Sequence, residues 1–491
     1  MLYTCTRDHK EPITASEAIC RGISPGGGLY VPESLPQYDA GTLSDMVLMD
    51  YRRRAKKVLG DFLTDFTPEE IDRCVESAYR ADKFEGGHPA PIKELEKSVT
   101  MLELWHGPTC AFKDMALQIL PHLLTCSMRR VHPDRTAVIL VATSGDTGKA
   151  ALEGFRDVAG TKVLVFYPRD GVSDMQKRQM VTQEGKNVGV CAIEGNFDDA
   201  QTAVKKIFTD EAMKQELASH GMMFSSANSI NWGRLLPQIV YYFSAYCDLV
   251  AEGTITLGET INIVVPTGNF GNILAAYYAF CMGLPVHRFV CASNENNVLT
   301  DFLTTGTYTA RRAFYKTTSP SMDILVSSNL ERLLYHVTGS DTEVASLMKQ
   351  LNETGSYTVR PETLAAIQES FACGWSSEAQ VAEEIRARYE QDHYLCDTHT
   401  AVAFHVAAQH KRDGVPMVVL STASPFKFPR SVLEALGHAA PANDFEAMQQ
   451  LEEATGCTAP ASLSALRQKA ERFHTVIDPE QIAQVALRYQ A

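Results

Sequence analysis

The distribution of apolar and polar positions predicts a repeated strand–loop–helix order from about residue 136 onwards. Continuous apolar runs, as expected for strands buried on both faces of a parallel sheet, alternate with segments of helical periodicity. The runs that we interpret as strands are 136–142, 162–167, 188–193, 222–225, 261–265, 286–292 and 415–420. This alternation indicates a parallel α/β sheet with right-handed crossovers, whose ligands bind at the carboxyl ends of the strands.

The same pattern divides the chain into four parts. The predicted parts are an N-terminal cap at 1–98, an α/β core at 99–309, a helical insertion at 310–395, and a return to the core with C-terminal helices at 396–491. Within the core, a smaller substrate lobe is expected at about 136–230. In the insertion the strand rhythm is lost, and Thr354-Gly355 and Cys373-Gly374 are interpreted as turns.

Composition and charge restrict the classes of partner. The chain has 491 residues, of which 45% are hydrophobic and 21% charged, as in an ordinary globular protein. Its net charge of -14 argues against nucleic acid or an anionic membrane as partner. An anionic ligand must therefore be bound locally, by backbone N–H groups and a few well-placed cations.

The remaining composition points to a soluble cytoplasmic protein. The first residues are polar and charged, unlike a signal peptide, and no apolar stretch approaches membrane-spanning length. The 12 cysteines are scattered singly, and the 14 histidines show no metal-binding spacing. We therefore expect reduced thiols, no metal site, and a monomer or homodimer.

Lys113 is the first candidate for chemistry. It follows Ala111-Phe112 and lies within an apolar run that continues through Met115 and Leu117, so we expect it at the start of a helix packed on the core. Burial of an ammonium lowers its pKa and makes the amine usable as a nucleophile or base. A lysine extending from a surface helix is the alternative interpretation. Two glycine-rich loops further along the chain argue against it.

The segment Gly268-Asn-Phe-Gly-Asn272 is the first of these loops. It connects a predicted strand to a predicted helix, so its backbone N–H groups and the helix dipole can bind a phosphate. It is not a dinucleotide fingerprint, because the third glycine and the acidic ribose partner are missing. A tight strand-to-helix turn without a ligand is the alternative.

Two further strand-to-helix junctions carry polar side chains. Ser144-Gly-Asp-Thr-Gly-Lys149 lacks the P-loop spacing, and its hydroxyls and glycines suit a small carboxylate, although a simple capped helix start is the alternative. Asn228-Ser-Ile-Asn-Trp-Gly-Arg234 offers amides, a hydroxyl and a guanidinium for a second phosphate. In the blander interpretation, Arg234 pairs with a neighbouring acidic side chain.

A buried lysine, a phosphate-binding loop and a carboxylate-binding loop together suggest pyridoxal 5′-phosphate chemistry. Six ordered motifs then resemble the threonine synthase family, in its long bacterial and fungal branch. They are C-T-R with G-G-G-L-Y-V-P-E at 26–33, H-G-P-T-x-A-F-K-D-x-A at 106–116, T-S-G-D-T-G at 143–148, S-I-N-W-G-R at 229–234, P-T-G-N-F-G-N at 266–272, and S-T-A-S-P-x-K-F at 421–428. The resemblance covers nearly the whole chain.

The resemblance implies the fold of the tryptophan synthase β group, also called fold type II, with two parallel-sheet lobes. It implies that pyridoxal 5′-phosphate is attached covalently to Lys113, the catalytic residue, and that Thr422 meets the pyridine nitrogen. The residues that it assigns to the cofactor phosphate are Gly268, Asn269, Phe270, Gly271 and Asn272. Those that it assigns to the substrate are Ser144, Gly145, Asp146 and Thr147 for the carboxylate, and Ser229, Asn231 and Arg234, with Lys149 as a further candidate, for the phosphate.

The implied reaction converts O-phospho-L-homoserine and water to L-threonine and phosphate, by γ-elimination followed by β-addition. A phospho-lyase on the same scaffold, like the threonine-synthase-like proteins of vertebrates, would give a keto acid from the same substrate. A threonine or serine dehydratase is disfavoured, since its lysine typically lies in S-x-K-x-R-G. A scaffold without activity would be expected to lose Lys113 or the phosphate loop, and both are present.

Overall fold

The computed structural model describes residues 1–96, 98–143, 145–195, 197–411 and 414–489. Strands β1 to β16 lie, in chain order, at Tyr3–Cys5, Asp8–Ile13, Tyr30–Pro32, Ile92–Glu96, Val99–Glu103, Thr136–Ala142, Thr161–Pro168, Val188–Ile193, Met222–Ser225, Ile261–Pro266, Val286–Ser293, Thr307–Thr309, Ser356–Thr358, Phe371–Trp375, Met417–Ser421 and Val476–Ile477. The strands predicted from apolar runs are all present, with ends that differ by two residues or fewer.

The helices connect and cover these strands. Helices α1 to α23 lie, in chain order, at Ala15–Arg21, Ala40–Val47, Tyr51–Phe62, Pro68–Ala78, Asp114–Leu117, Leu120–Val131, Asp146–Gly154, Asp174–Val181, Phe197–Thr209, Glu211–Ser219, Trp232–Leu235, Pro237–Ala251, Gly271–Cys281, Val298–Thr305, Leu330–Thr338, Asp341–Thr354, Pro361–Ser370, Glu378–Asp392, Thr398–His410, Pro429–Ala435, Asp444–Thr455, Ala461–Ser464 and Ile482–Arg488. None of the helices in the described ranges is both long and apolar enough to cross a bilayer.

The larger sheet contains six of the described strands in the order β14-β11-β10-β15-β5-β4. All neighbouring pairs are parallel except β4 and β5 at one edge. The central strands β10 and β15 are buried along their whole length, as the continuous apolar runs predict. Strand β15 comes late in the sequence but lies between β10 and β5 in the sheet. The residues that follow it therefore lie next to loops from much earlier in the sequence.

The smaller sheet has the order β16-β8-β7-β6-β9, and its strands are parallel. Four of these strands come from the predicted substrate lobe at about 136–230. The fifth, β16 at Val476–Ile477, was not predicted, since the last part of the chain was expected to be helical without strands. Between β8 and β9 the chain forms two helices, because Asp210 caps a second helix, α10.

The N-terminal part forms a small three-stranded antiparallel sheet, β2-β1-β3, followed by helices α2 to α4. It supports the core directly: the Ser225 hydroxyl donates to the Cys20 carbonyl at 3.1 Å. The predicted boundary at residue 98 falls within the antiparallel pair of β4 and β5, so β4 belongs to the larger sheet rather than to the cap.

The segment 310–395, predicted to be a mostly helical insertion, contains the short strands β13 and β14 in addition to helices α15 to α18. Cys373 and Gly374, interpreted as a turn, lie in β14, which pairs with β11 at the edge of the larger sheet. Arg332 of α15 is fully buried and donates to the carbonyls of Ser229 and Ile230, at 3.3 Å and 2.8 Å. The insertion therefore holds one of the candidate binding loops in place.

Candidate active site

Lys113 occupies the position immediately before α5, in a cavity at the carboxyl ends of both sheets. Its side chain is 11% exposed. Its Nζ lies 3.2 Å from the Ser321 hydroxyl and 3.5 Å from Asp146 Oδ2. Burial lowers the pKa of Lys113 to about 8, against the opposing effect of Asp146. The amine can therefore lose its proton near neutral pH, as the sequence predicted.

The segment after β10 forms the second wall of the cavity, and Gly268, Asn269, Phe270, Gly271 and Asn272 all line it. Phe270 has φ 62°, and no side chain of the described residues caps α13. A Cβ at Gly268 would lie 2.8 Å from the Ser321 carbonyl oxygen, so a glycine is required there. The first N–H groups of an 11-residue helix thus face the cavity, which suits an anion.

Arg234 and Asn272 add donors to the same wall. Arg234 is 4% exposed, its Nη1 donates to the Ala227 carbonyl at 2.7 Å, and its Nε has no partner among the described residues. Burial lowers its pKa to about 10. The hydroxyls of Tyr241 and Tyr242 both donate to Asn272 Oδ1, which leaves its buried Nδ2 without a partner in the described part of the chain. These orphaned donors indicate an anionic ligand.

The loop before α7 differs in charge from this wall. Asp146 and Thr147 line the cavity, and Gly145 has φ 137° with its Cα packed against Gln176. Asp146 is 4% exposed, and its carboxylate accepts hydrogen bonds from Gln176, Ser321 and Lys427. Despite desolvation, Lys427 and Lys113 hold the pKa of Asp146 well below its usual range. Ser144 lies outside the described residues.

Lys149 and Asn231, two predicted substrate ligands, do not line the cavity, and neither does Gly145. Lys149 Nζ donates to Glu153 Oε2 at 3.1 Å and also to Gln183, away from Lys113. The Asn231 side chain accepts from the Gly233 N–H and donates to the Ser226 carbonyl, so it stabilises the turn before α11. Their amine and amide groups are used within the protein. Ser229, in contrast, does line the cavity.

The third wall consists of residues from the end of the chain and from the insertion. Thr422 follows β15 and lines the cavity, and its carbonyl accepts from the Phe112 N–H at 2.9 Å. His399 is 3% exposed; its Nδ1 lies 2.7 Å from Asp397 Oδ2, and its Nε2 accepts from the Ser321 N–H at 3.1 Å. These contacts fix the neutral tautomer with the proton on Nδ1. No group of His, Cys, Asp and Glu in the described ranges is arranged to hold a metal ion.

Comparison with known proteins gives consistent matches along the chain. Residues 2–79 match the family described as "Threonine synthase N terminus", residues 87–373 match "Pyridoxal-phosphate dependent enzyme", and residues 400–486 match "Threonine synthase, C-terminal". Threonine synthase of Methylobacillus glycogenes is 38% identical over 450 residues, covering 89% of this chain and 92% of that protein. The chain belongs to the threonine synthase family. It is thus a member of the pyridoxal-phosphate-dependent enzymes.

One solved structure and a second group of relatives are also similar to this chain. The crystal structure of pyridoxal-phosphate-bound threonine synthase from Brucella melitensis is 36% identical, with a TM-score of 0.88 and coverage of 100% of this chain and 99% of that one. Threonine synthase-like 1 of Pongo abelii is 40% identical over 444 residues, covering 88% of this chain. The chain spans only 58–60% of the length of such Threonine synthase-like 1 relatives.

The residues present fit the cofactor of the family. A buried amine with a lowered pKa, the uncapped start of α13 and the orphaned donors of Asn272 and Arg234 are what an aldehyde carrying a phosphate requires. Sequence reasoning assigned no role in the site to Ser321, Lys427 or His399. Lys427 lay within a motif at 421–428, whereas nothing in the sequence around Ser321 marks it as part of a site.

Proposed function

We propose that the protein is a threonine synthase, which converts O-phospho-L-homoserine and water to L-threonine and phosphate with pyridoxal 5′-phosphate as cofactor. The carrying observation is that one cavity joins the buried amine of Lys113 to the uncapped start of α13 and to Arg234, whose Nε has no partner among the described residues. A site with a nucleophilic amine and two places for anions suits a phosphorylated cofactor and a phosphorylated substrate. A cytoplasmic location and small-molecule partners are part of this proposal.

In this proposal the cofactor is held at three points. Lys113 would bind it covalently, Thr422 would hold its ring, and the segment from Gly268 to Asn272 would bind its phosphate through backbone N–H groups. When bound, the cofactor supplies an electron-withdrawing ring that stabilises negative charge on the substrate carbons. Thr422 would offer that ring a neutral hydroxyl, which does not stabilise a positive charge as a carboxylate would.

Lys113 is also the residue that moves protons. Its free amine would take the proton from the substrate Cα and transfer protons at Cβ and Cγ. A pKa of about 8 is well matched to this work near neutral pH, because both protonation states are then populated. Phosphate leaves from Cγ and water adds at Cβ. Ser321, which hydrogen-bonds Lys113 Nζ, fixes the amine between these positions.

The substrate anions are assigned by charge. Arg234 and Ser229 contact the substrate phosphate, since Arg234 is a cavity-lining cation with no carboxylate partner in the described structure. Ser144 and Thr147 bind the carboxylate through hydroxyl and backbone N–H groups at the start of α7, whereas the N–H of Gly145 already donates to the Thr143 hydroxyl. Asp146 contributes only its backbone N–H there, because its ionised side chain would repel a carboxylate. Lys149 and Asn231 are left out of this assignment.

A phospho-lyase that releases phosphate and a keto acid from the same substrate is the second candidate. The 40% identity to Threonine synthase-like 1 is the observation that favours keeping it. Both reactions share the first proton transfers and the loss of phosphate. They differ only in whether water adds at Cβ before the product leaves.

Product analysis separates the two candidates. The holoenzyme is incubated with O-phospho-L-homoserine in deuterated water, free phosphate is assayed, and the organic product is identified by NMR. Threonine deuterated at the α and γ carbons is the expected result. A keto acid with one equivalent of phosphate would support the lyase, and the absence of phosphate release would contradict both. The Lys113→Ala variant is the control for reaction outside the site.

A further inference from the structure

Lys427 carries a buried positive charge for which the proposed reaction has no use. It is fully buried (0% exposed), in the short turn at Pro425–Lys427 that follows β15. Its Nζ lies 2.8 Å from Asp146 Oδ1 and donates to the Thr109 carbonyl at 2.9 Å. Desolvation of an ammonium is costly unless an ion pair and hydrogen bonds offset it. A fully buried charge that contacts Asp146 of the candidate active site is therefore expected to have a function.

Asp146 is shared unequally between two lysines. Its Oδ1 lies 2.8 Å from Lys427 Nζ, whereas its Oδ2 lies 3.5 Å from Lys113 Nζ. Gln176 donates to Oδ1 at 3.0 Å and the Ser321 hydroxyl donates to Oδ2 at 3.0 Å, so both oxygens are held in place. Charge-assisted hydrogen bonds are typically below about 2.9 Å. Lys427, rather than Lys113, is therefore the main counterion of Asp146.

We infer that Lys427 is a positioning residue, which binds the Asp146 carboxylate so that it cannot close onto Lys113, and thereby keeps the Lys113 amine available for the cofactor. The inference rests on the proposed function only in taking Lys113 as the point of cofactor attachment. Without Lys427, Asp146 would have Lys113 as its nearest cation. A tight pair between them would hold the amine in its protonated form, which is not a nucleophile.

The charges around Lys113 support this assignment. Those that face it are Asp146 from α7, Arg234 from α11 and Lys427 from the turn after β15, while His399 at the start of α19 faces Asp146. Burial is the largest cause of the lowered pKa of Lys113, and Arg234 and Lys427 act in the same direction against Asp146. Removal of Lys427 takes away one of these cations and frees Asp146, so both consequences raise the pKa of Lys113.

Capture of the cofactor by the full-length protein tests the inference without any substrate. Protein stripped of cofactor is mixed with pyridoxal 5′-phosphate, and the absorbance change is followed over a range of pH. In this step the neutral amine of Lys113 attacks the aldehyde carbon, a C–N bond forms and water leaves. We expect an apparent pKa of about 8 for the parent. In Lys427→Met it should rise by about one unit, so that capture below pH 8 slows about tenfold.

Two comparisons separate positioning from general damage. Lys349→Met removes a lysine from the exposed side of α16, and its capture profile should match the parent. A variant whose packing is merely disturbed would capture more slowly at every pH without a change of apparent pKa. A profile of Lys427→Met with the parental apparent pKa would overturn the inference.

The double variant Asp146→Asn/Lys427→Met covers the case in which Lys427→Met does not fold. It removes both charges of the buried pair, so no unpaired ion remains. Asp146 raises the pKa of Lys113 by more than Lys427 lowers it. The apparent pKa of Lys113 in the double variant should therefore lie below that of the parent. A value above the parent would overturn the inference. If the parent itself captured no cofactor, the proposed function would fail instead.

Discussion

Two glycine-rich loops approach Lys113 from different sheets, and they have opposite electrostatic character. The loop after β10 ends in an uncapped helix start flanked by Arg234, whose Nε has no partner among the described residues. In the loop after β6, the Thr143 hydroxyl accepts from the N–H groups of Gly145 and Gly148, both at 2.9 Å, and Asp146 adds a negative charge. Glycines thus show where a backbone can approach a ligand, whereas neighbouring side chains decide the sign of its charge.

The largest effect is expected from Arg234→Met, which removes the cation beside the loop after β10. Since Arg234 is buried and is assigned to the substrate phosphate, we expect kcat/KM to fall about a hundredfold, or about 3 kcal/mol. Steady-state kinetics measures the change. Arg360→Met, which removes a half-exposed arginine paired with Glu343, serves as control and should leave kcat/KM unchanged. Equal kinetics for Arg234→Met and the parent would show that another group binds this anion.

The second prediction concerns Lys113 itself, which lies between the loops. Its pKa in the folded protein, about 8, is lower than the unfolded value of 10.5, so the folded state is penalised whenever the lysine is protonated. The penalty is complete below pH 8 and disappears as the pH rises towards 10.5. Cofactor-free Lys113→Met should therefore be more stable than the cofactor-free parent by about 3 kcal/mol at pH 7.

Denaturant unfolding at several pH values checks this second prediction. The advantage of Lys113→Met should shrink steadily above pH 8. A constant advantage at all pH values would instead point to packing of the methionine, and a less stable variant would show that the pair with Asp146 outweighs desolvation.

Gly268→Ala tests the shape of the loop after β10. The new Cβ would meet the Ser321 carbonyl oxygen at 2.8 Å, so the loop has to move away from the cavity. We expect cofactor affinity to fall about tenfold, or about 1.4 kcal/mol. Equilibrium binding of pyridoxal 5′-phosphate measures it. Gly60→Ala, in α3 with no atom within 4 Å of the new Cβ, is the matched control and should bind like the parent.

The smallest effect is expected from inorganic phosphate. If the loop after β10 and Arg234 bind anions as assigned, phosphate should stabilise the cofactor-free parent. At about ten times its Kd the gain is about 1.4 kcal/mol, which is measured as a higher Tm. Chloride at equal ionic strength is the control for general salt effects. Arg234→Met should show a smaller increase. The same increase in both proteins would place phosphate elsewhere.

The fold followed from sequence wherever burial alone decided the pattern. Apolar runs predicted most of the buried parallel strands, but β14 was missed because Cys373-Gly374 in Phe371–Trp375 reads as a turn. Strand β4, Ile92–Glu96, was missed because three of its five residues are charged, as is common for an edge strand. Strand β5, Val99–Glu103, was also missed, although it is buried and lies inside the larger sheet, because polar Thr100 and Glu103 interrupt its apolar run. Local patterns therefore identified strands with long apolar runs and lost short or polar ones.

The sequence predicted which residues form the site, but not the direction in which each side chain points. Lys113, the Gly268–Asn272 segment, Arg234 and Thr422 were named from motifs, and all line one cavity. Lys149 was named because it ends a loop motif, yet its amine pairs with Glu153 one helical turn away. The partner of Asp146 is Lys427, which only the tertiary fold brings near, so no local spacing could reveal it.

The position of β15 in the larger sheet has a consequence for how the protein acquires its fold. This strand is inserted between β10 and β5, and its pairing with β5 joins Met417 to Val99 across most of the chain. Contacts of such long sequence separation form slowly, and until they form, two parallel strands present open edges that favour aggregation. Because Thr422 and Lys427 follow this strand directly, the pairing of β15 also brings these two residues to the active site, so a chain in which β15 is unpaired lacks a complete site.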